Sequence, residues 1–274
     1  MKNWKRAAAI AGVIVLLGVF CLPMFFAFGT GGDSENAFRG ALAAAIMVPI
    51  MAYILLLGYR FFGRKKPGKE EENRMIDNII FDVGQVLMQF DWEGYLKGFG
   101  FSPEKYEKIA DATFRSSVWD ERDRGLYEEE EYLRQFVALA PEYETDIREV
   151  IRRSYDTISL FPYAETWVKY LKQQGYHLYI LSNYSQYMLD HTKQKMAFLK
   201  YMDGVVFSCE VQELKPEAAM YQKILSLYGL KAHRSVFIDD RKVNCEGAEA
   251  LGIRTILFKS MKQAAEELKK LGVE

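Results

Sequence analysis

The chain begins with two long apolar stretches that contain no charged residue. They are residues 7–28 (AAAIAGVIVLLGVFCLPMFFAF) and residues 40–59 (GALAAAIMVPIMAYILLLGY). At a rise of about 1.5 Å per residue, twenty or so helical residues span roughly 30 Å, which is the hydrocarbon thickness of a bilayer. Two buried core helices are the alternative, but a core rarely needs two uncharged runs of this length. The pattern predicts a transmembrane helical hairpin over residues 1–62.

The charges around these stretches predict the orientation of the hairpin. Three basic residues lie at positions 2–6 and five lie between positions 60 and 69. Because basic flanks stay on the cytoplasmic side, we expect a two-pass protein of the cell membrane whose remaining residues face the cytoplasm. A cleaved signal peptide, with Ala27 and Gly29 before the cut, is the competing interpretation, although the apolar region is longer than such a peptide needs. The lipid bilayer is thus an expected partner.

After the second apolar stretch the pattern changes twice. Residues 63–75 are polar and contain glycine and proline, which is typical of a linker. From residue 76 onward, short apolar runs alternate with segments of helical periodicity, which predicts a Rossmann-like α/β fold over residues 76–274, with a parallel sheet covered by helices on both faces. The predicted strands are Asn78–Phe81, His177–Leu181, Gly204–Phe207, Ser235–Ile238 and Ile253–Phe258.

One segment interrupts the alternation. Residues 94–160 show helical periodicity and no convincing strand, with SPEKYEKIADATF and EEEEYLRQFVAL as the clearest helical patterns. An insertion between the first two strands of the sheet predicts a helical cap over the carboxyl ends of the strands. Such a cap can exclude water and select substrates. The alternative is a packing subdomain that takes no part in selection.

The distribution of charge divides the chain at the same place. Residues 1–70 contain nine basic and three acidic residues, whereas the remainder contains 27 basic and 34 acidic residues. An acidic soluble portion argues against a nucleic-acid partner, which needs a basic surface. The three cysteines have no paired spacing that would indicate zinc or disulfides, which fits a reducing cytoplasm. Nothing in the composition predicts an oligomeric state.

Polar side chains fall at or just beyond the ends of the predicted strands. Taken singly, each has a structural interpretation as a helix cap or a turn residue. Because the carboxyl ends of parallel strands meet at one edge, we expect them to converge. Oxygen ligands in this number suit Mg²⁺ held together with a phosphate, and a carboxylate can act as the nucleophile. The converging residues are Asp82, Ser182, Asn183, Lys215, Asp239 and Asp240.

Four motifs in this order resemble the haloacid dehalogenase-like (HAD) hydrolase superfamily, in its helical-cap subfamily. They are FDVGQVL, LSN, LKPEAAMY and FIDDRKVNCEGA, and the resemblance covers roughly residues 76–274. It implies an aspartyl-phosphate intermediate on Asp82, with Lys215 neutralising charge on the nucleophile and the phosphate. The other residues that it implies are Ser182, Asn183 and Lys215 for phosphate binding, Asp82, the backbone carbonyl of Gly84, Asp239 and Asp240 for Mg²⁺, and Asn244 in support.

Gly84 departs from the usual pattern of the family. Phosphatases of the superfamily usually have a second aspartate two residues after the nucleophile, which donates a proton to the leaving oxygen. General acid–base help of this kind is worth about 10²–10⁴-fold. Asp91 is an alternative source of the acid, although a capping or turn role is favoured for it. The departure leaves three hypotheses: a metal-independent 2-haloacid dehalogenase, a non-catalytic membrane sensor of a phosphometabolite, or a phosphatase whose substrate has a good leaving group.

The retained residues favour the third hypothesis. Two adjacent carboxylates in FIDD would be unfavourable without a cation, which argues against the dehalogenase. An inactive protein would be expected to lose at least one of Asp82, Lys215 and Asp239. A branch that resembles this chain near Gly84 includes sugar 1-phosphate phosphatases, and in its cap it is similar to the phosphatase-like domain of soluble epoxide hydrolases. The sequence therefore predicts a membrane-tethered, Mg²⁺-dependent phosphatase of a small phosphorylated metabolite, with a sugar 1-phosphate as the example.

Overall fold

The computed structural model describes residues 76–274. The predicted hairpin over residues 1–62 and the predicted linker over residues 63–75 lie outside the described residues. Between residues 76 and 274, every helix is too short or too polar to cross a membrane.

Seven strands and eleven α-helices follow one another along the described part of the chain. The strands are β1 Asn78–Phe81, β2 Met88–Phe90, β3 Ile158–Leu160, β4 His177–Ser182, β5 Gly204–Phe207, β6 Ser235–Asp239 and β7 Arg254–Leu257. The helices are α1 Trp92–Lys97, α2 Pro103–Ala112, α3 Ser117–Arg124, α4 Glu129–Leu139, α5 Glu144–Arg152, α6 Ala164–Gln173, α7 Gln186–Thr192, α8 Ser208–Val211, α9 Ala218–Tyr228, α10 Lys242–Glu249 and α11 Met261–Lys270.

Five strands form one parallel sheet in the order β5-β4-β1-β6-β7. All four residues of the central strand β1 are buried, which is why three of them, Ile79, Ile80 and Phe81, are apolar. Strands β4 and β6 extend one residue beyond their predicted ends, to Ser182 and Asp239, while β7 is shorter than predicted at both ends. The predicted parallel sheet is confirmed.

Helices cover both faces of this sheet. Successive residues of β1 point to opposite faces, so Ile79 and Ile80 enter different cores. On the face of Ile79, the apolar sides of α6 and α11 pack against the sheet through Trp167 and Leu268. On the other face, α9 packs against the sheet through Ile224. The Rossmann-like arrangement predicted from the sequence is therefore present.

Five helices, α1 to α5, are inserted between β2 and β3, and we call residues 92–152 the cap. The cap has an apolar core of its own that includes Leu96, Phe136 and Ile147. The expectation of no strand in residues 94–160 is wrong, because β3 lies within that interval and pairs antiparallel with β2. Three-residue strands are too short to give a periodic signal. This two-stranded ribbon carries the chain from the sheet into the cap and back.

Candidate active site

Asp82 lies at the carboxyl end of the central strand, between the ends of β4 and β6. The preceding residue, Phe81, pairs with Ile180 on one side and Ile238 on the other. The backbone N–H of Asp82 donates to the carbonyl of Ile238 at 2.9 Å, which continues the ladder by one residue. Because Ser182 ends β4, its side chain lies next to that of Asp82. The convergence that the sequence predicted is present at this edge.

Three donors converge on one oxygen of the Asp82 carboxylate. The Ser182 hydroxyl donates to Oδ1 at 2.7 Å, and the backbone N–H of Val83 donates to the same atom at 2.8 Å. The ammonium of Lys215 lies 2.8 Å from it. Asp82 is almost fully buried, so these contacts hold the carboxylate in a single orientation. A nucleophile benefits from such fixation, because attack on phosphorus requires alignment with the leaving group.

Lys215 also contacts the second buried carboxylate of the site. Its Nζ lies 2.7 Å from Asp239 Oδ2, and both side chains are fully buried. The backbone N–H of Arg241 donates to Asp239 Oδ1 at 2.8 Å, and the amide of Asn244 lies 3.1 Å from both carboxylate oxygens. Burial lowers the pKa of Lys215, but the carboxylates of Asp239 and Asp82 outweigh it and raise that pKa above its usual value. Lys215 therefore carries its charge at neutral pH.

Asn183 fixes the backbone of the loop that carries Lys215. Its side-chain NH₂ donates to the Lys215 carbonyl at 3.0 Å, and its side-chain carbonyl accepts from the Lys215 N–H at 2.8 Å. These two bonds tie the end of β4 to the loop before α9. The predicted contact of Asn183 with a phosphoryl oxygen stays a prediction, as does that of Ser182.

The site gathers more negative than positive charge. Burial raises the pKa of Asp82 to about 7, with Lys215 opposing the shift and Asp239 and Asp240 adding to it. Burial, followed by the charge of Asp239, also raises the pKa of the half-buried Asp240. Three carboxylates face the buried ammonium of Lys215 and the exposed guanidinium of Arg241, so a further cation would stabilise the ionised cluster.

The donor set of this cluster fits Mg²⁺. One oxygen from each of Asp82, Asp239 and Asp240 lies within 4.8 Å of the other two. The side-chain oxygen of Asn244 is buried and has no hydrogen-bond partner within residues 76–274, so it can accept from a water on a metal ion. Hard oxygen donors without nitrogen or sulfur are what Mg²⁺ prefers. The role of the Gly84 carbonyl as a ligand stays a prediction, although Gly84 lines the same cavity.

A cavity of about 300 Å³ adjoins this cluster, where it is lined by Asp82, Lys215 and Asp240. We call Asp82, Ser182, Lys215, Asp239 and Asp240 the floor of the site. We call Phe90, Phe114, Trp119 and Asp123 its wall; Phe90 comes from the ribbon and the others from the cap. The Phe90 and Trp119 rings stack with centroids 5.7 Å apart, and the Phe114 and Trp119 centroids are 4.7 Å apart. The wall has no distinct signature in the sequence, because aromatic residues are also what an ordinary core requires.

The parallel sheet has carboxylates at the carboxyl ends of its strands, and a helical cap is inserted after its first strand. This architecture is that of a class of hydrolases whose reaction uses an aspartate side chain. The model of one family, the haloacid dehalogenase-like hydrolases, matches residues 76–252. This match covers more than half of the chain, and the chain belongs to that family.

Known proteins similar to this chain agree with the assignment. Flavin mononucleotide hydrolase 1 of Arabidopsis thaliana is 24% identical over 201 residues, which cover 73% of this chain and 79% of that protein. A HAD-like hydrolase from Porphyromonas gingivalis has a TM-score of 0.58 at 23% identity, covering 73% of this chain and 99% of that one. A HAD enzyme from Bacteroides thetaiotaomicron, solved with magnesium and inorganic phosphate, has a TM-score of 0.54 at 21% identity, covering 68% and 96%. At these identities the two structures support the fold.

Proposed function

We propose that the chain is a Mg²⁺-dependent phosphatase that hydrolyses a small phosphate monoester through an aspartyl-phosphate on Asp82. The observation that carries this proposal is the buried cluster of Asp82, Asp239 and Asp240 around the single ammonium of Lys215. The printed names of the relatives add support, since one is a flavin mononucleotide hydrolase and one solved neighbour holds magnesium and phosphate.

The proposed reaction assigns a task to each residue of the floor. The Asp82 carboxylate attacks phosphorus while the strand end holds it in line with the leaving group. Lys215 balances the negative charge on Asp82 and on the transferring phosphoryl group, and the Ser182 hydroxyl keeps the carboxylate oriented. A Mg²⁺ ion held by Asp82, Asp239, Asp240 and the Gly84 carbonyl would neutralise phosphate charge, and Asn244 would support it. Attack of water on phosphorus then releases phosphate and restores Asp82.

The same residues weigh against the other two hypotheses. A metal-independent dehalogenase would leave the Lys215 ammonium as the one buried cation among the carboxylates of Asp82, Asp239 and Asp240 in residues 76–274. A non-catalytic sensor would have no use for a carboxylate aligned at a strand end by three donors. Neither hypothesis explains the floor as well as phosphoryl transfer does.

The wall bears on the organic part of the substrate. A sugar 1-phosphate, the example from the sequence, carries hydroxyl groups, whereas Phe90, Phe114 and Trp119 offer flat apolar surfaces. Aromatic side chains bind planar groups by stacking. An aromatic phosphate monoester is therefore a second candidate class of substrate beside the sugar 1-phosphates. We also propose that the cap, predicted over residues 94–160, excludes water and selects between such classes.

Release of inorganic phosphate tests the proposed function. Purified protein is assayed on sugar 1-phosphates, aromatic phosphates and alkyl phosphates, with Mg²⁺ and with a chelator, and halide release is measured from 2-haloacids. We expect phosphate release that depends on Mg²⁺. Halide release without a metal would establish the dehalogenase, and binding of inorganic phosphate without turnover of any ester would establish the sensor.

From the sequence we further propose that residues 1–62 anchor the enzyme in the membrane as a hairpin, with the hydrolase domain in the cytoplasm and residues 63–75 as the linker. A membrane-impermeant thiol reagent should label a cysteine introduced at Ser34 in intact cells. It should not label one introduced at Lys69. The opposite labelling pattern would contradict the orientation.

A further inference from the structure

The site lacks an acid next to its nucleophile, yet a carboxylate from the cap faces the same cavity. Asp82 and Gly84 line the cavity from the sheet, and Asp123 lines it from α3. We propose that Asp123 supplies the proton-transfer group that a glycine at position 84 cannot supply. This inference rests on the proposed phosphatase function and adds to it the source of the proton for the leaving group.

Several contacts with the sheet domain hold α3 in place around Asp123. The hydroxyl of Ser208 donates to the Asp123 carbonyl, and the backbone N–H of Ser185 donates to its carboxylate. The next residue, Arg124, makes two hydrogen bonds to the Glu217 carboxylate at 2.6 and 2.9 Å. The cap is therefore docked on the sheet domain at the residue that faces the cavity.

The turn after α3 shows how close this docking is. Gly125 ends the helix in the left-handed conformation, with φ of 73°. A side chain there would bring its Cβ within 3.1 Å of the Cys209 backbone. Glycine at this position satisfies both the backbone conformation and the close approach. The position of Asp123 is thus set by backbone packing as well as by side-chain contacts.

The charged and titratable groups around Asp123 favour a carboxyl group that holds a proton near neutral pH. On its own helix Asp120 and Arg122 face it, and from the sheet domain the facing groups are Asp82, Tyr184 and Cys209. Burial raises the pKa of Asp123 to about 7; Arg122 opposes the shift, and the negative charges of Asp120 and Asp82 add to it. A general acid works best when its pKa lies near the working pH.

Two other carboxylates are weaker candidates. Asp91 accepts a hydrogen bond from the Gly94 N–H at 2.8 Å and thereby caps α1, and it is not among the residues that line the cavity. Asp120 lines the cavity but is exposed to solvent, so bulk water competes for its protons. Asp123 lines the cavity and is partly buried, so it is less accessible to bulk solvent than Asp120.

In the proposed reaction every bond that forms is matched by a bond that breaks, and every proton has a donor and an acceptor. A bond forms between Asp82 oxygen and phosphorus while the bond between phosphorus and the ester oxygen breaks, and the leaving oxygen takes the proton of the Asp123 carboxyl. The resulting carboxylate then accepts a proton from a water molecule as that water attacks phosphorus. The bond from Asp82 oxygen to phosphorus breaks, inorganic phosphate leaves, and Asp123 is protonated again.

The test is a leaving-group series on the full chain with Mg²⁺, comparing the unmodified enzyme with Asp123→Asn. For alkyl phosphates, whose leaving oxygen needs a proton, we expect kcat/KM to fall about 10²–10⁴-fold. For 4-nitrophenyl phosphate, whose leaving group needs none, kcat/KM should change by less than about threefold, and phosphoenzyme should accumulate because the base for the second step is missing. Asp111→Asn, an exposed cap carboxylate with 68% of its side chain accessible, is the matched control and should behave as the unmodified enzyme.

The pH profile gives an independent readout. Because the acid must be protonated, kcat/KM for an alkyl phosphate should fall as the pH rises above about 7, and this limb should be missing from Asp123→Asn. An equal loss for all leaving groups, with the limb retained, would show that Asp123 has only a structural role. The proposal would also be overturned if the dependence of kcat/KM on the leaving group became steeper in Asp120→Asn and stayed unchanged in Asp123→Asn. If the unmodified enzyme releases no phosphate from any ester, the proposed function itself fails.

Rescue by a second substitution completes the test. A Cβ built at Gly84 meets no heavy atom within 4 Å, and Gly84 is not among the described glycines with positive φ. The backbone at position 84 therefore accepts a Cβ without strain. We expect Asp123→Asn/Gly84→Asp to recover at least about tenfold in kcat/KM on alkyl phosphates over Asp123→Asn alone. The absence of recovery, with correct folding and Mg²⁺ binding, would contradict the idea that the two positions share one task.

Discussion

The floor and the wall of the cavity are built in different ways. Asp82 and Asp239 are single residues at the ends of neighbouring strands, and their oxygens are placed by Lys215 and by backbone N–H groups. Phe114 and Trp119 belong to the cap and are placed by packing against other rings. From this difference we infer that the strand ends specify the reaction, while the cap adapts it to a substrate.

The largest effect is expected from removing the cation of the floor. Lys215→Met leaves two buried carboxylates facing each other without their shared partner, which should destabilise the metal-free protein by about 3–5 kcal/mol. Catalysis should fall by at least about 10²–10³-fold, because the charge of the transferring phosphoryl group is no longer balanced. Urea unfolding with and without Mg²⁺ measures the first effect, and phosphate release measures the second.

Lys223→Met is the matched control for this substitution. Lys223 is exposed on α9, so its replacement should change neither stability nor turnover noticeably. Full activity of Lys215→Met would contradict the role given to the floor. Partial recovery of stability on adding Mg²⁺ would support it, since the metal binds the folded state alone.

A smaller and more selective effect is expected from the wall. Trp119→Leu keeps an apolar side chain but removes the ring that stacks on Phe90. We expect KM for aromatic phosphates to rise about tenfold, equivalent to about 1.4 kcal/mol, with kcat and inhibition by inorganic phosphate nearly unchanged. Steady-state kinetics on one aromatic and one sugar phosphate measure KM and kcat separately for each substrate.

Leu139→Ala, an exposed apolar position of the cap, serves as the control for loss of packing. It should leave both substrates unaffected. If Trp119→Leu weakened sugar and aromatic phosphates equally, the wall would be a support for the cap and would take no part in selection.

The smallest effect is expected at Asp91. Asparagine caps a helix as well as aspartate does, so Asp91→Asn should preserve both the melting temperature and the leaving-group dependence. A calorimetric scan and the same series of phosphate esters check this. If Asp91→Asn lost activity on alkyl phosphates alone, the general acid would be Asp91 and not Asp123.

Much of the fold followed from periodicity, and the reason is physical. Strands of a parallel sheet that is covered on both faces are rich in apolar residues, so Asn78–Phe81 and Gly204–Phe207 were predicted with the bounds that the structure has. The ribbon was missed because Met88–Phe90 and Ile158–Leu160 have three residues each, and its pairing joins positions 68 or more residues apart. Short-range patterns contain no signal for such a contact.

The candidate site likewise contains residues that the sequence predicted and residues that it did not. The floor was predicted because strand topology brings Asp82, Ser182 and Asp239 to one edge, and the motifs then supply Lys215 from its loop. Asp123 was not predicted, since an aspartate in SVWDERDR has the ordinary pattern of a solvated helix. Its significance depends on how the cap docks, through Ser208 and Gly125, and that contact has no local signature.

Trapping of the phosphoenzyme tests the central claim most directly. The enzyme is mixed with an aryl phosphate and Mg²⁺, quenched in acid, digested, and mapped by mass spectrometry. The account predicts a phosphoryl group on the peptide containing Asp82, its absence when a chelator replaces Mg²⁺, and its absence in Asp82→Asn, which should remain folded but inactive. Turnover by Asp82→Asn comparable to that of the unmodified enzyme, or a phosphoryl group on any other residue, would contradict the account.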